Sequence, residues 1–355
     1  MTPIVPMTRR DFVAALALAG GAAALGVPRA VRAAGTAPEH EWDWLIGNWD
    51  VRHRRLKERL TGSGDWEDFG GKSALWLAMG GLGTIDDNLV ELPAGVYRGL
   101  TIRTYDKASR AWSIWWLDGR NPARLDAPVT GRFDGDAGVF SGPDTLRGKP
   151  IVMRFRWLDI HSREPHWEQA FSPDGGKSWE VNWENFFTRT AEKATPVALL
   201  ADRPHDFDFL VGRWKVRHRR LRKRLAGSGD WDSFDGTLVN WPVLGGHGNV
   251  GDNVMDFPAG AFRGIGLRAF DAASGDWLSW WFDGRAPTTL GPPLRGRFAD
   301  GVGEFVGDDT HDGKPVRTRV RWSQITPTSA RWEQASSADG GVTWEVNWVS
   351  EFTRT

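Results

Sequence analysis

"GNWDVRHRRL" at Gly47–Leu56 and "GRWKVRHRRL" at Gly212–Leu221 are one stretch written twice. In each copy a Gly-x-Trp is followed, four residues after the Trp, by a His among arginines. Read as a strand with side chains alternating between two faces, Trp49, Val51, His53 and Arg55 share one side, and Asp50, Arg52 and Arg54 the other. If Trp49 faces a core, His53 and Arg55 face it too, as do His218 and Arg220 beside Trp214. Arg52 and Arg54 are then a solvated face. A bulge between Trp49 and His53 would reverse the assignment, and no glycine between them marks one.

Working outward, the repeat covers a whole domain. Trp49 and Trp214 lie 165 positions apart. The same offset aligns Glu41–Thr190 with Asp206–Thr355 without a gap, at about half of the positions identical. A period this long is a duplicated domain, not a solenoid repeat. The expected units are residues 41–190 and 205–355, joined by a Pro-punctuated linker at 191–204. Each carries the complete pattern, so each is expected to fold on its own. Segments such as "VYRGLTIRTYD" and "IVMRFRWLDI" alternate bulky and polar residues and are separated by Gly- and Asp-containing turns. Nine or ten short strands per unit, joined in sequence, predict an all-β chain of two tandem up-and-down antiparallel barrels, which leave no sheet edge exposed.

The chain has 355 residues, zero formal net charge, no cysteine, and 22 Trp beside 2 Tyr. Without cysteine there are no disulfides, thiolate metal sites or covalent c-type haem. Balanced charge argues against a nucleic-acid partner, even for the basic "VRHRRL" segments. Residues 1–33 read as an export leader. Arg9 and Arg10 precede a weakly apolar run from Val13 to Val27, and Val31-Arg32-Ala33 offers a small-residue cleavage site. Paired arginines in that place resemble a twin-arginine signal, engaging the export machinery through Arg9 and Arg10. The run is shorter than the ~20 residues of a membrane span. The expected location is therefore periplasmic or secreted, with no stable membrane anchor after cleavage.

The Gly-x-Trp and the distant "FFTRT" arginine, Arg189, resemble the calycin group: lipocalins, fatty-acid-binding proteins and nitrobindin-like barrels. In lipocalins an Arg near the last strand covers the Trp of the first. The resemblance implies that Arg189 lies over Trp49 and Arg354 over Trp214. Each unit also resembles a bacterial family of unknown function with an FLVGxWxVxHRRL pattern, here in tandem. That resemblance brings no activity with it.

The candidate ligand-binding residues are His53, Arg55, Arg103, Trp116, Asp118, Arg120 and Gln169, with their repeats His218, Arg220, Arg268, Trp281, Asp283, Arg285 and Gln334. In "WWLDGR" one face presents an indole, a carboxylate and a guanidinium to a ligand, or else a core Trp and a turn-stabilising ion pair. His53, Asp118 and Glu168, with His218, Asp283 and Glu333, are the acid–base candidates for an enzyme reading of the cyclase, isomerase or hydratase type. Strand arginines Arg154, Arg156, Arg319 and Arg321 add to an interior expected to be basic. Asp87-Asn88 reads as a structural turn or a mouth loop, and "SPDGGKSW" as a hairpin device. The leading expectation is a barrel that binds a small apolar or aromatic, or an anionic, molecule. A lipocalin-fold enzyme is the alternative, and a haem barrel the lesser one. No cofactor or metal is expected otherwise.

Overall fold

The computed structural model describes residues 36–355; the leader, with Arg9 and Arg10, lies outside the described residues. Ten strands form the first barrel: β1 (Gly47–Leu56), β2 (Trp66–Ala78), β3 (Gly83–Leu92), β4 (Gly95–Asp106), β5 (Ala111–Asp118), β6 (Val129–Asp134), β7 (Ala137–Leu146), β8 (Lys149–Leu158), β9 (His166–Ser172) and β10 (Glu180–Ala191). Each pairs antiparallel with its chain neighbours, and β10 returns to β1 to close the sheet. A second closed ten-stranded barrel runs from β11 (Gly212–Leu221) to β20 (Glu345–Arg354) with the same topology. The all-β tandem-barrel expectation holds, with ten strands in each.

Register fixes the faces. Trp49, Val51 and His53 pair with Arg189, Phe187 and Asn185, and the shift in pairing lies before Trp49. His53 therefore keeps the parity of Trp49. A short 3-10 turn, Asp43–Leu45, plugs the base of the barrel. Trp49 Nε1 donates to Leu45 O at 2.8 Å and Trp112 Nε1 to Glu41 Oε2 at 2.6 Å. The Arg189 guanidinium lies 4.1 Å above the Trp49 ring and donates to the carbonyls of Trp44 and Ile46. The cation thus tethers the plug while it covers the indole. The second barrel repeats this with Arg354 4.3 Å over Trp214.

The two barrels meet along their outer faces. Ile85, Leu100, Ile102, Trp115 and Leu117 of the first join Val250, Ile265, Leu267, Trp280 and Phe282 of the second in one buried cluster. Residues 36–355 accordingly form one compact unit. The contact is reciprocal: Asp87 Oδ1 accepts from Leu244 N at 2.8 Å, and its repeat Asp252 from Met79 N at 3.0 Å. Met79 and Leu244 hold left-handed backbone, with φ of 52° and 55°. Each carboxylate thus caps the strained turn of the other barrel. Asp87-Asn88 is neither a turn nor a mouth loop. It lies within β3, where one residue faces the other barrel and the next faces the cavity. The linker is pinned as well: Leu200 N donates to Gly245 O at 2.8 Å, and Arg98 Nη2 to Ala198 O at 2.6 Å.

Candidate functional site

Each barrel encloses a cavity open at the end opposite its plug, of about 390 Å³ in the first and about 360 Å³ in the second. Indoles and phenyl rings dominate the walls, among them Trp157, Trp167 and Phe187 in the first and Trp322, Trp332 and Phe352 in the second. Polar and charged side chains share this lining, in the first barrel five arginines and four aspartates among them, so the rings take an apolar body while the polar groups orient it.

His53 and His218 line these cavities and are only 6% and 7% exposed. Arg52 and Arg54, on the opposite parity, are exposed. Their outer face is a cation–aromatic and ion-pair surface: Arg52 over Phe186 at 4.0 Å, Arg54 over Trp66 at 4.5 Å and against Glu184 at 3.3 Å. The His53 ring stacks on Phe69, centroids 4.9 Å apart, and its Nδ1 hydrogen-bonds to Asn185 Oδ1 at 2.6 Å, with the Trp183 indole N–H 3.3 Å from the same nitrogen. In the second barrel His218 stacks on Phe234 and pairs with Ser350 Oγ at 2.8 Å. Burial pushes both rings down to about 4. At His53 the Asn185 hydrogen bond opposes the shift and the Arg55 charge adds to it. Both histidines are thus neutral at neutral pH and act as polar, uncharged wall groups. A Cβ placed on Gly71 would lie 2.5 Å from His53 Nε2, so that nitrogen rests against the backbone of β2.

The remaining candidates divide by parity. In the first barrel Arg55, Arg103, Trp116, Asp118, Arg120 and Gln169 all line the cavity. In the second, Arg268, Trp281 and Gln334 do, while Arg220, Asp283 and Arg285 are not among its lining residues. Arg120 Nε donates to Asp118 Oδ1 at 2.9 Å, with its guanidinium 3.8 Å over Tyr97. Arg285 and Asp283 repeat the pair over Phe262 at 3.7 Å. "WWLDGR" therefore builds a rim ion pair that stabilises its own turn. Glu168 and Glu333 are displaced from the site. Gln169 and Gln334 take the inward positions, so the glutamates one residue before them lie on the outer sheet face. There Glu168 pairs with Arg156, and Glu333 with Arg331. Arg154 and Arg156 share that outer parity and do not line the cavity, whereas Arg55, Arg59, Arg103, Arg120 and Arg124 do, beside Asp86, Asp118, Asp126 and Asp144. Arg103 and Arg268 are the deep arginines.

Sequence reasoning passed over Asp86, Asn185 and the two glycines behind the histidines, Gly71 and Gly236. Asp86 accepts from Arg103 Nη2 at 3.0 Å and from Ser73 Oγ at 2.5 Å. The signal was available in the parity of β3, which puts Asp86 and Asn88 on one face, but adjacent Asp87 drew the reading. The "DGG" hairpins are structural. Asp174 Oδ2 accepts from Ser178 Oγ at 2.6 Å and its Oδ1 from Ser178 N at 2.9 Å and Lys177 N at 3.0 Å, which holds its carboxyl well below the usual carboxylate range.

No family model matches the chain, and no curated protein matches it. Among solved structures, one similar chain is a protein of unknown function from the DUF3598 family of Nostoc punctiforme. It is 11% identical over 90% of this chain and 100% of that one, with a TM-score of 0.24. Another is a mutant of the vaccine antigen transferrin binding protein B from Haemophilus parasuis, 6% identical over 87% of this chain and 76% of that one, with a TM-score of 0.17. Likenesses at such TM-scores carry no argument, and the functional reading rests on the barrels themselves.

Proposed function

We propose that this is an exported binding protein of calycin-like barrels, each barrel holding one small, mainly apolar or aromatic molecule. The observation that carries the reading is the pair of ring-lined cavities, each with a closed base, an open mouth and a buried neutral His in its wall. Kinship with the calycin group is supported by Arg189 over Trp49 and its repeat. Export rests on the Arg9-Arg10 leader, and periplasmic fractionation of the parent against Arg9→Lys/Arg10→Lys tests it.

Acid–base catalysis has less support. His53 and His218 hydrogen-bond to an amide and a hydroxyl. Asp118 is engaged by Arg120, and Glu168 lies outside the barrel. A ring titrating near 4 is a weak base at neutral pH.

Native mass spectrometry of the full chain from its native periplasm tests the binding reading. Small-molecule adducts are expected, and filling the cavities with Thr101→Trp and Gly266→Trp should remove them. A chain of bare mass, or adducts that survive both substitutions, would sink it.

A further inference from the structure

The two cavities differ around one deep arginine that both keep, and the difference is one of charge. In the first barrel Arg103 is 3% exposed, and its guanidinium is occupied: Nη2 donates to Asp86 at 3.0 Å and Nη1 to Thr84 Oγ1 at 3.2 Å. In the second barrel the 165-residue offset puts Gly251 at the place of Asp86, Leu238 at that of Ser73 and Asn249 at that of Thr84. The counter-ion is gone. Leu238 fills its space, since a Cβ on Gly251 would lie 2.6 Å from Leu238 Cδ1. Arg268 keeps one neutral partner, donating from Nη1 to Asn249 Oδ1 at 3.0 Å, and makes no ion pair among the described residues. It is half-buried and lines the cavity, over Phe207 at 5.1 Å and Trp322 at 5.5 Å.

Space has been opened beside it. Thr101 of the first barrel is Gly266 in the second, where a Cβ would stand 3.6 Å from Arg268 Nη2 and 3.8 Å from Nη1. Ile114 becomes Ser279, which also lines the second cavity. The two acids of that cavity make no ion pair with Arg268: Asp309 accepts from Thr318 Oγ1 at 2.9 Å, and the exposed Asp308 faces Arg317 at 3.8 Å.

We propose that the second barrel selects an apolar monoanion, an aryl or acyl carboxylate, whose head pairs with Arg268, a deep contact that the first barrel does not offer because Asp86 already neutralises Arg103 there. This rests on the binding reading above. A guanidinium presents its donors in a planar fork that matches a carboxylate, and the pair is strong where water is excluded. One cation without an ion-pair partner, flanked by the Phe207 and Trp322 rings, matches one negative charge on a mainly apolar guest. Burial lowers Arg268 to about 10, which leaves it protonated at neutral pH.

The test uses 2-naphthoate and its neutral analogue 2-naphthalenemethanol, titrated calorimetrically into the full chain at low salt. One naphthoate per chain is expected. Gly251→Asp/Leu238→Ser, which rebuilds the acid and hydroxyl of the first barrel, should weaken naphthoate at least tenfold and leave the alcohol unchanged. Arg268→Met should do the same and raise the melting temperature of the free chain, because it removes an unpaired buried cation. Arg103→Met should lower the melting temperature, because it strands Asp86. If both compounds bind alike and Arg268→Met alters neither, or if Arg268→Met destabilises the chain as Arg103→Met does, charge selection is wrong and the binding reading survives. If neither compound binds in either barrel, both readings fall.

Discussion

His53 and His218 each make the fold less stable in acid. Each titrates near 6.5 when unfolded and is pushed down to about 4 in the folded chain. A depressed folded value means that the unfolded chain takes up the proton first as pH falls. Stability from each ring is therefore fully present above about pH 6.5, is lost between 6.5 and 4, and levels off below 4. A gap of ~2.5 units at ~1.36 kcal/mol each makes the full loss about 3 kcal/mol per ring. Asp87 works in the opposite sense: burial raises it to about 7, so its contribution is present at low pH and lost as pH rises from about 4 to 7. The measurement must therefore be differential. In urea titrations at pH 7.5 and 4.5, His53→Gln/His218→Gln should lose less stability between the two values than the parent, by several kcal/mol. Parallel pH profiles for parent and variant would show that the rings are not buried neutral. Inward pointing was legible from one parity argument, four residues from a Trp. The partners were not, because Asn185 and Ser350 stand 132 positions away, and pairing across a closing seam leaves no local trace.

At the scale of the strand, the histidines are held by what the neighbouring strand lacks. Gly71 of β2 faces His53, and its repeat Gly236 faces His218, where a Cβ would come within 2.8 Å of Nε2. At Gly71 a Cβ would also meet Leu89 O at 2.6 Å, a backbone atom that cannot swing away. Gly71→Ala is thus expected to destabilise by about 1–3 kcal/mol as an overpacked core site. Gly70, one residue earlier, faces outward, where an added Cβ meets only the flexible Glu91 side chain. Gly70→Ala should be nearly neutral. Equal melting temperatures for the two variants would refute the facing assigned here. A sequence read alone treats "Gly70-Gly71" as a turn or weak strand signal. Only the pairing of His53 with Phe69 shows that one of the two is a socket. Glu168 illustrates the same limit. "WEQA" gives alternation without phase, and only the pairing of β8 with β9 shows that Gln169 turns inward.

At the scale of the molecule, duplication and length were legible in the sequence, but the way the halves meet was not. Outward residues of β3, β4 and β5 look like ordinary strand alternation with an apolar second face. That second face is the joint. Its contacts repeat under exchange of the barrels: Asp87 caps Leu244, Asp252 caps Met79, and Trp76 meets Trp241 with ring centroids 5.5 Å apart. This is the self-complementary geometry of a two-fold dimer written into one chain. Residues 205–355 close a complete barrel without borrowing a strand, so they are expected to unfold cooperatively when expressed alone. They would also expose Val250, Ile265, Leu267, Trp280 and Phe282, an apolar patch that water disfavours. Two copies can cover it by the same exchange, each Asp252 capping Leu244 of the other. Sedimentation equilibrium should then find a dimer of residues 205–355. Leu267→Lys/Phe282→Lys should give a monomer whose far-ultraviolet spectrum is unchanged. A parent fragment that stays monomeric at tens of micromolar, or a molten product, would show that the joint depends on features unique to the first barrel or its linker. Candidates are the pinning of Leu200 on Gly245 and of Arg98 on Ala198, which no second copy of residues 205–355 supplies.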